Sequence, residues 1–145
     1  MNELAVTPIT DADVEPVIAL WQRCGLTRPW NDPAGDIAFV RRGANATILV
    51  GRVDNAIVAT AMVGHDGHRG WVYYVAVDPD QQRQDFGRAI MAAAEDWLRA
   101  QGVEKIMLMV RPDNTPVQAF YHRLGYDVQE RVIYAKWLDG REMTP

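Results

Sequence analysis

Residues Val75 to Ala89 read Val-Ala-Val-Asp-Pro-Asp-Gln-Gln-Arg-Gln-Asp-Phe-Gly-Arg-Ala: an apolar strand that stops at Pro79 and re-emerges as a helix opening at Phe86. A loop closing onto a helix start leaves several backbone N–H groups without intrahelical partners. Together with the helix dipole they favour a pyrophosphate or similar anion. Asp85 interrupts this pattern, because it puts a carboxylate where a glycine would let backbone and ligand approach each other.

Working outward, Trp71 to Val77 carries apolar residues on both faces, as a strand covered from both sides should. Phe86, Ile90, Ala93, Ala94 and Trp97 mark the buried stripe of the following helix, which Gly102 ends. Lys105 to Arg111 reads as another strand and Thr115 to Leu124 as a helix with Pro116 tolerated at its start and Gly125 as its stop. Tyr126 to Val128 and Arg131 to Trp137 then close the chain as antiparallel strands. Toward the N-terminus, Glu3 to Ile9 is a first strand. Thr10 and Asp13 resemble a capping box for a helix turning Val14, Val17, Ile18 and Trp21 inward, which Pro16 kinks or delays. Arg28 to Pro33 is turn-rich and precedes a short helix from Asp36 to Arg42. Thr47 to Val53, an Asp54-Asn55 turn and Ala56 to Gly64 form a hairpin. The sum is one α/β (α+β) domain over residues 1–145, a mixed, mostly antiparallel sheet of roughly six to seven strands with about four helices on both faces.

Composition narrows the function classes. The chain has 145 residues, 48% of them hydrophobic and 23% charged, which suits a globular domain with a real core. No apolar stretch is longer than a strand, and Met1-Asn2-Glu3 lacks the regions of a signal peptide, so a cytoplasmic protein without a membrane partner is expected. A net charge of −4 argues against a nucleic-acid partner. The lone Cys24, on an apolar helical pattern, excludes an intramolecular disulfide and a cysteine metal cluster.

The order of elements and three local motifs resemble the GCN5-related N-acetyltransferase (GNAT) family over nearly the whole chain. In that family a strand ending Val-x-Pro leads into a loop reading Gln or Arg, two residues, Gly, one residue, Gly or Ala. Val77, Pro79, Gln82 and Gly87 fit it, with Asp85 in place of the first glycine. Asn114, Phe120, Tyr121, Leu124, Gly125 and Tyr126 match the family's Asn to Tyr to Gly-Tyr segment. Leu20-Trp21, Arg28 to Pro33 and Asp66 to Gly70 resemble the bacterial YpeA-type subgroup of small acetyltransferases.

The resemblance implies transfer of an acetyl group from acetyl-coenzyme A to a primary amine by direct attack, without a metal. It implies that main-chain groups of Val75 and Val77 pair with the pantetheine arm and the acetyl carbonyl. The amides of Gln82, Arg83, Gln84, Asp85, Phe86, Gly87, Arg88 and Ala89 would take the pyrophosphate. Asn114 would orient its helix or contact the cofactor, and Tyr121 would be the general acid to the leaving thiolate. No motif assigns the base. Asp66, His65 and His68, between two central strands, and Asp32 are candidates, as is a water chain. Trp30, Asn31, Asp32, Trp71 and Tyr73 are candidates to line the acceptor site.

Asp85 bears on affinity. Two unit charges about 4 Å apart at an effective dielectric near 20 repel by roughly 4 kcal/mol before solvent screening. Arg83 and Arg88 can offset that, or the Asp85 carboxylate can cap the helix and occupy the amides itself. The acceptor is a small-molecule or protein amine, and a homodimer is conceivable through Ile133, Ala135 and Trp137 if their strand is left at an edge. The alternative function is a degenerate GNAT domain that binds coenzyme A or a protein partner without efficient turnover.

Overall fold

The computed structural model describes residues 3–82 and 84–143, and the chain packs as two compact units, Met1–Met109 and Val110–Pro145. The first unit holds β1 (Ala5–Pro8), α1 (Val14–Arg23), α2 (Pro33–Val40), β2 (Ala46–Val53), β3 (Ala56–His65), β4 (Gly70–Val77), α3 (Phe86–Ala100) and β5 (Ile106–Met107). The sheet runs in the order β1-β2-β3-β4-β5, antiparallel throughout except for the parallel β4–β5 pair.

Local chemistry explains most of these boundaries. Asp54 and Asn55 both take positive φ, 49° and 71°, the requirement of the tight turn whose twist matches its flanking strands, so β2 and β3 pair directly. At the start of α1, the Thr10 amide and hydroxyl both donate to Asp13 Oδ2 at 2.9 Å, and Arg52 reaches the same oxygen at 2.7 Å. That guanidinium holds the Asp13 carboxyl below its usual range against the opposing effect of burial. A 3-10 turn over Asp11–Asp13 precedes α1, so Pro16 falls in the first helical turn, where an N–H has no intrahelical acceptor to lose. The expected disruption of the helix therefore does not arise.

The sheet buries both faces. Val17, Leu20 and Trp21 of α1 and Ile37 of α2 pack with Ile48, Val50, Met62 and Ala76, while α3 covers the opposite face with Phe86, Ile90, Met91, Ala94 and Leu98. Gly70 marks the closest approach there, since a Cβ on it would meet Leu98 Cδ1 at 2.5 Å. On α3 the fully covered stripe runs through Met91 and Leu98 rather than Ala93 and Trp97, which are half-buried.

Thr60, fully buried on β3, accepts from Trp21 Nε1 at 2.9 Å and donates to the Tyr74 carbonyl at 3.0 Å. Trp21 also stacks on the Tyr74 ring, with centroids 3.8 Å apart and planes within 8°. Helix, strand and neighbouring strand are thereby tied at one point.

The second unit contains α4 (Thr115–Arg123), with Pro116 in its first turn. Gly125, at φ +93°, ends the helix; its N–H donates to His122 O and the Tyr126 N–H to Tyr121 O, both at 3.0 Å. The four α-helices agree with the sequence, but the strand count does not. Among the described residues the sheet has five strands rather than six to seven. The strand expected over Lys105 to Arg111 is confined to Ile106–Met107, and residues 126–137 form none. Alternating apolar residues select a face, but a ladder also needs a facing row of backbone groups, which the pattern does not supply.

Replacing Thr60 by Val leaves the buried Trp21 N–H and Tyr74 carbonyl without their partner and is expected to cost about 1–3 kcal/mol in urea unfolding. Thr60→Ser, which keeps the hydroxyl, is expected to cost less. Equal losses for the two variants would show that the hydroxyl does not matter.

Candidate functional site

The register of β4 slips opposite Thr60 and Met62: Thr60 pairs with Ala76 but Met62 with Tyr73, so β4 carries one extra residue. The irregularity falls at Tyr74, whose φ of +50° is left-handed, a conformation costing roughly 1–2 kcal/mol for a residue with a Cβ. Regular alternation would send Tyr73 and Tyr74 to opposite faces. The bulge turns both toward a single pocket. Beyond Gly70 and Trp71, which pair with β5, the rest of β4 has no ladder on that side among the described residues. Val75 and Val77 lie on this open stretch.

The loop after β4 is shaped by its own side chains. Asp78 accepts from the Asp80 amide at 3.0 Å and pairs with Arg23 at 2.9 Å, which sets the turn through Pro79. The Val77 carbonyl accepts from Gln82 Nε2 at 3.0 Å and from Cys24 Sγ at 3.2 Å. Burial pushes the Cys24 thiol up, so it stays a donor. Gln84 donates to Gln81 at 2.6 Å, and Arg83 lies outside the described residues.

Asp85 stands at the N-cap of α3 with φ +59° and ψ +23°, and its side chain makes no capping hydrogen bond. The possibility that its carboxylate occupies the helix amides is therefore not realised. The first-turn amides of Phe86, Gly87 and Arg88 keep their donors directed out of the helix start, and no acidic residue occupies that turn. The left-handed backbone also explains why glycine suits this position: only glycine adopts it without a Cβ penalty. Aspartate is among the few residues that tolerate it.

The pocket in the first unit has a volume of about 430 Å³. Leu26, Phe39, Val40 and Met62 form its apolar part; Asn31, Asp36, Tyr73 and Tyr74 supply the polar groups. Tyr74 Oη donates to Asp36 Oδ2 at 2.8 Å, and burial, then Asp36 and the charge of Asp32, raise the Tyr74 phenol, so it keeps its proton. Tyr73 is raised as well, mainly by burial. Of the residues expected to meet the acceptor, Asn31 and Tyr73 line this pocket while Trp30, Asp32 and Trp71 do not. Asp32 instead caps α2, accepting from the Gly35 amide at 3.1 Å. Asp36 and Tyr74 were missing from the expected set. The Tyr-Tyr pair was visible in the sequence, but only the bulge makes it two neighbours on one face.

Asp66 and His68 sit in the exposed β3–β4 turn and do not line the pocket. Asp66 Oδ1 accepts from the amides of His68 at 2.9 Å and Arg69 at 2.8 Å, and Oδ2 from Trp71 Nε1 at 3.4 Å. These bonds, the Arg69 amide foremost, hold its carboxyl below the usual range. His65 Nδ1 accepts from the Gly67 amide at 3.1 Å.

In the second unit, Asn114 caps α4 through the Val117 amide at 3.4 Å. Tyr121, 9% exposed, meets Phe120 and Tyr126 edge to face at centroid distances of 5.0 and 5.7 Å. Burial pushes its phenol up to about 12. The Tyr126 to Tyr121 bond that closes the helix also fixes the ring contact between them.

Among the described residues no group of three or more His, Cys, Asp or Glu side chains converges as a metal site, and no helix is long and apolar enough to cross a membrane. Residues 14–126 match the model of the acetyltransferase (GNAT) family. A Yersinia enterocolitica acetyltransferase is 42% identical over 127 residues, covering 88% of this chain and 90% of the relative. One from Sodalis glossinidius is 43% identical over 121 residues, covering 83% and 85%. The Escherichia coli ribosomal-protein-S18-alanine N-acetyltransferase superposes with a TM-score of 0.75 at 26% identity, over 96% of this chain and 88% of the other. An aminoglycoside N-acetyltransferase solved with coenzyme A gives 0.81 at 16% identity, over 95% and 97%, a likeness of fold. With a family match that spans β4, its loop, α3 and α4, the chain belongs to the GNAT acetyltransferase family.

Proposed function

We propose that the protein transfers an acetyl group from acetyl-coenzyme A to a primary amine. The observation that carries this reading is the junction of the bulged, half-open β4 with α3, whose first-turn amides the Asp85 side chain leaves uncapped, in a chain of an acetyltransferase family. The family's structural neighbours include enzymes for a protein alanine and for aminoglycosides, so amines of both kinds are within its range.

The residues present fit the cofactor. A row of strand groups at Val75 and Val77 suits an extended amide-bearing arm, and the first-turn amides of Phe86, Gly87 and Arg88 suit a pyrophosphate, whereas the Ala89 amide is already bonded to the Asp85 carbonyl at 3.1 Å. The Val77 carbonyl already accepts from Gln82 Nε2 and Cys24 Sγ, so one of these donors would give way to a ligand. When bound, acetyl-coenzyme A supplies a thioester carbonyl for attack by the neutral amine and a thiolate leaving group. Tyr121 is the hydrogen-bond donor to the leaving sulfur in this reading. A phenol raised to about 12 is protonated throughout the working range. It is also a weaker acid than a thiol of pKa about 8.5, so its contribution is a hydrogen bond to the developing negative charge rather than early proton release. The turn commits Asp66 to its own backbone, and the amine gives up its proton to solvent.

Tyr121→Phe is expected to lower kcat by about 100- to 1000-fold while leaving the affinity for acetyl-coenzyme A nearly intact, read by thiol release and calorimetry. Unchanged turnover would remove Tyr121 from the mechanism, and tight cofactor binding without turnover in the wild type would favour a coenzyme-binding domain. With increasing pH, kcat/KM should rise as the acceptor ammonium, of pKa about 10.4 for an alkyl amine, loses its proton. Because the Tyr121 phenol is raised to about 12, it should impose no alkaline fall below that pH.

Asp85→Gly is expected to bind coenzyme A about tenfold tighter than the wild type, by removing a carboxylate beside the phosphate amides and relieving a left-handed backbone. Asp85→Asn separates the two causes: it removes the charge and keeps a Cβ. Equal affinity of wild type and Asp85→Gly in calorimetric titration would refute any penalty from this residue.

A further inference from the structure

We propose that the pocket of the first unit is a subsite for a diamine or polyamine, in which Asp36 pairs with a charged nitrogen that does not react. The inference rests on the acetyltransferase reading and names the substrate class for it. Asp36 is the only charged side chain among the residues lining the pocket. Its position is fixed from behind: Tyr74 Oη donates to Oδ2 at 2.8 Å, and the Tyr74 ring is clamped against Trp21 at 3.8 Å. A carboxylate held by a rigid donor has little rotamer entropy left to lose when it meets a cation. The other carboxylate oxygen can accept from an ammonium, as can the side-chain carbonyl of Asn31.

The remaining wall sets the shape of the ligand. Leu26, Val40 and Met62 offer an apolar surface suited to a methylene chain, and a volume of about 430 Å³ is that of a small-molecule site. No arginine or lysine lines the pocket, so a ligand carboxylate finds no partner there and meets Asp36 as a like charge. The Arg42 guanidinium lies over the Phe39 ring at 4.6 Å, and the nearby Asp32 adds a second negative charge in the field felt by Tyr74.

The chemistry of attack then requires two nitrogens. Pairing with a carboxylate favours the protonated form of an amine, and an ammonium has no lone pair to give. The nitrogen held by Asp36 is therefore an anchor. A second nitrogen, as the free base, forms the N–C bond while the C–S bond breaks. Its surplus proton balances the departing thiolate, leaving an amide and a thiol, and the anchored nitrogen is unchanged.

The test is calorimetric titration of putrescine, cadaverine and spermidine against butylamine and γ-aminobutyrate, with and without coenzyme A, alongside KM and kcat for each. Putrescine is expected to turn over in the wild type with a kcat/KM at least about tenfold above that of butylamine, whose single nitrogen, held on Asp36 as an ammonium, has no lone pair for attack, and γ-aminobutyrate is expected to bind more weakly than either. Asp36→Asn should weaken putrescine by about 10- to 100-fold and raise its KM, with a smaller change in kcat; it should weaken butylamine binding too, but should not lower butylamine's slow turnover. Tyr74→Phe, which keeps the carboxylate but frees it, should show the same preference in weaker form. A preference for putrescine that survives in Asp36→Asn overturns the proposal. If that variant fails to fold, butylamine turning over in the wild type with the kcat/KM of putrescine overturns it alone. Binding of coenzyme A without any diamine refutes the subsite and spares the acetyltransferase reading, whereas diamine binding without coenzyme A does the reverse.

Discussion

The hydroxyl of Thr60 is the point on which the first unit depends. It accepts from Trp21 and donates to the carbonyl that the β4 bulge takes out of the ladder, so a fully buried side chain satisfies both groups at once. A bulge exposes backbone groups that would each cost about 1–3 kcal/mol if buried without a partner. Here one of them is satisfied by a neighbouring strand's side chain, and the stacked indole and phenol fill the space beside it. The left-handed Tyr74 can persist because these contacts over-determine it. The bulge in turn aims Tyr73 and Tyr74 into one pocket and separates the open end of β4 from its regular half.

Much of the fold was legible because it follows from local rules. The Asp54-Asn55 turn and the Gly125 stop each name a backbone conformation that few other residues accept, and each formed where expected. The apolar spacing of α3 placed the helix correctly but rotated its stripe slightly, because Met91 and Leu98 compete with Ala93 and Trp97 for the covered side and the spacing alone does not separate them. The strands after α4 were not legible in the same sense. Val132 and Ile133 have strand propensity, yet they are exposed, and propensity specifies no partner.

The site divides along the same line. The phosphate-loop segment and Tyr121 came from motif spacing, which encodes main-chain geometry and helix position. Asp36 carried no motif. Its significance arises only when α2 and the bulged strand bring it 2.8 Å from Tyr74, residues separated by 38 positions in the chain. Asp66, between two central strands, and Asp32, in the turn-rich segment, were candidates for the base, and each accepts a hydrogen bond from a nearby backbone amide. Short-range aspartates in turns are satisfied locally before they can serve a ligand.

The same reasoning changes what Asp85 means. A carboxylate at a helix start ordinarily caps the helix, and a capping aspartate would compete with phosphate for the same amides. The left-handed backbone at Asp85 and the absence of a capping bond leave those amides available, with the charge still nearby. In the proposed function the residue would oppose a phosphate through its field and its strain, not by filling the site. Asp78, with Arg23, sets the first turn of the loop, and neutral amides hold the part beyond it, with Gln82 on the Val77 carbonyl and Gln84 on Gln81. In the proposed function such amide side chains would be exchanged for a ligand without burying or unpairing a charge.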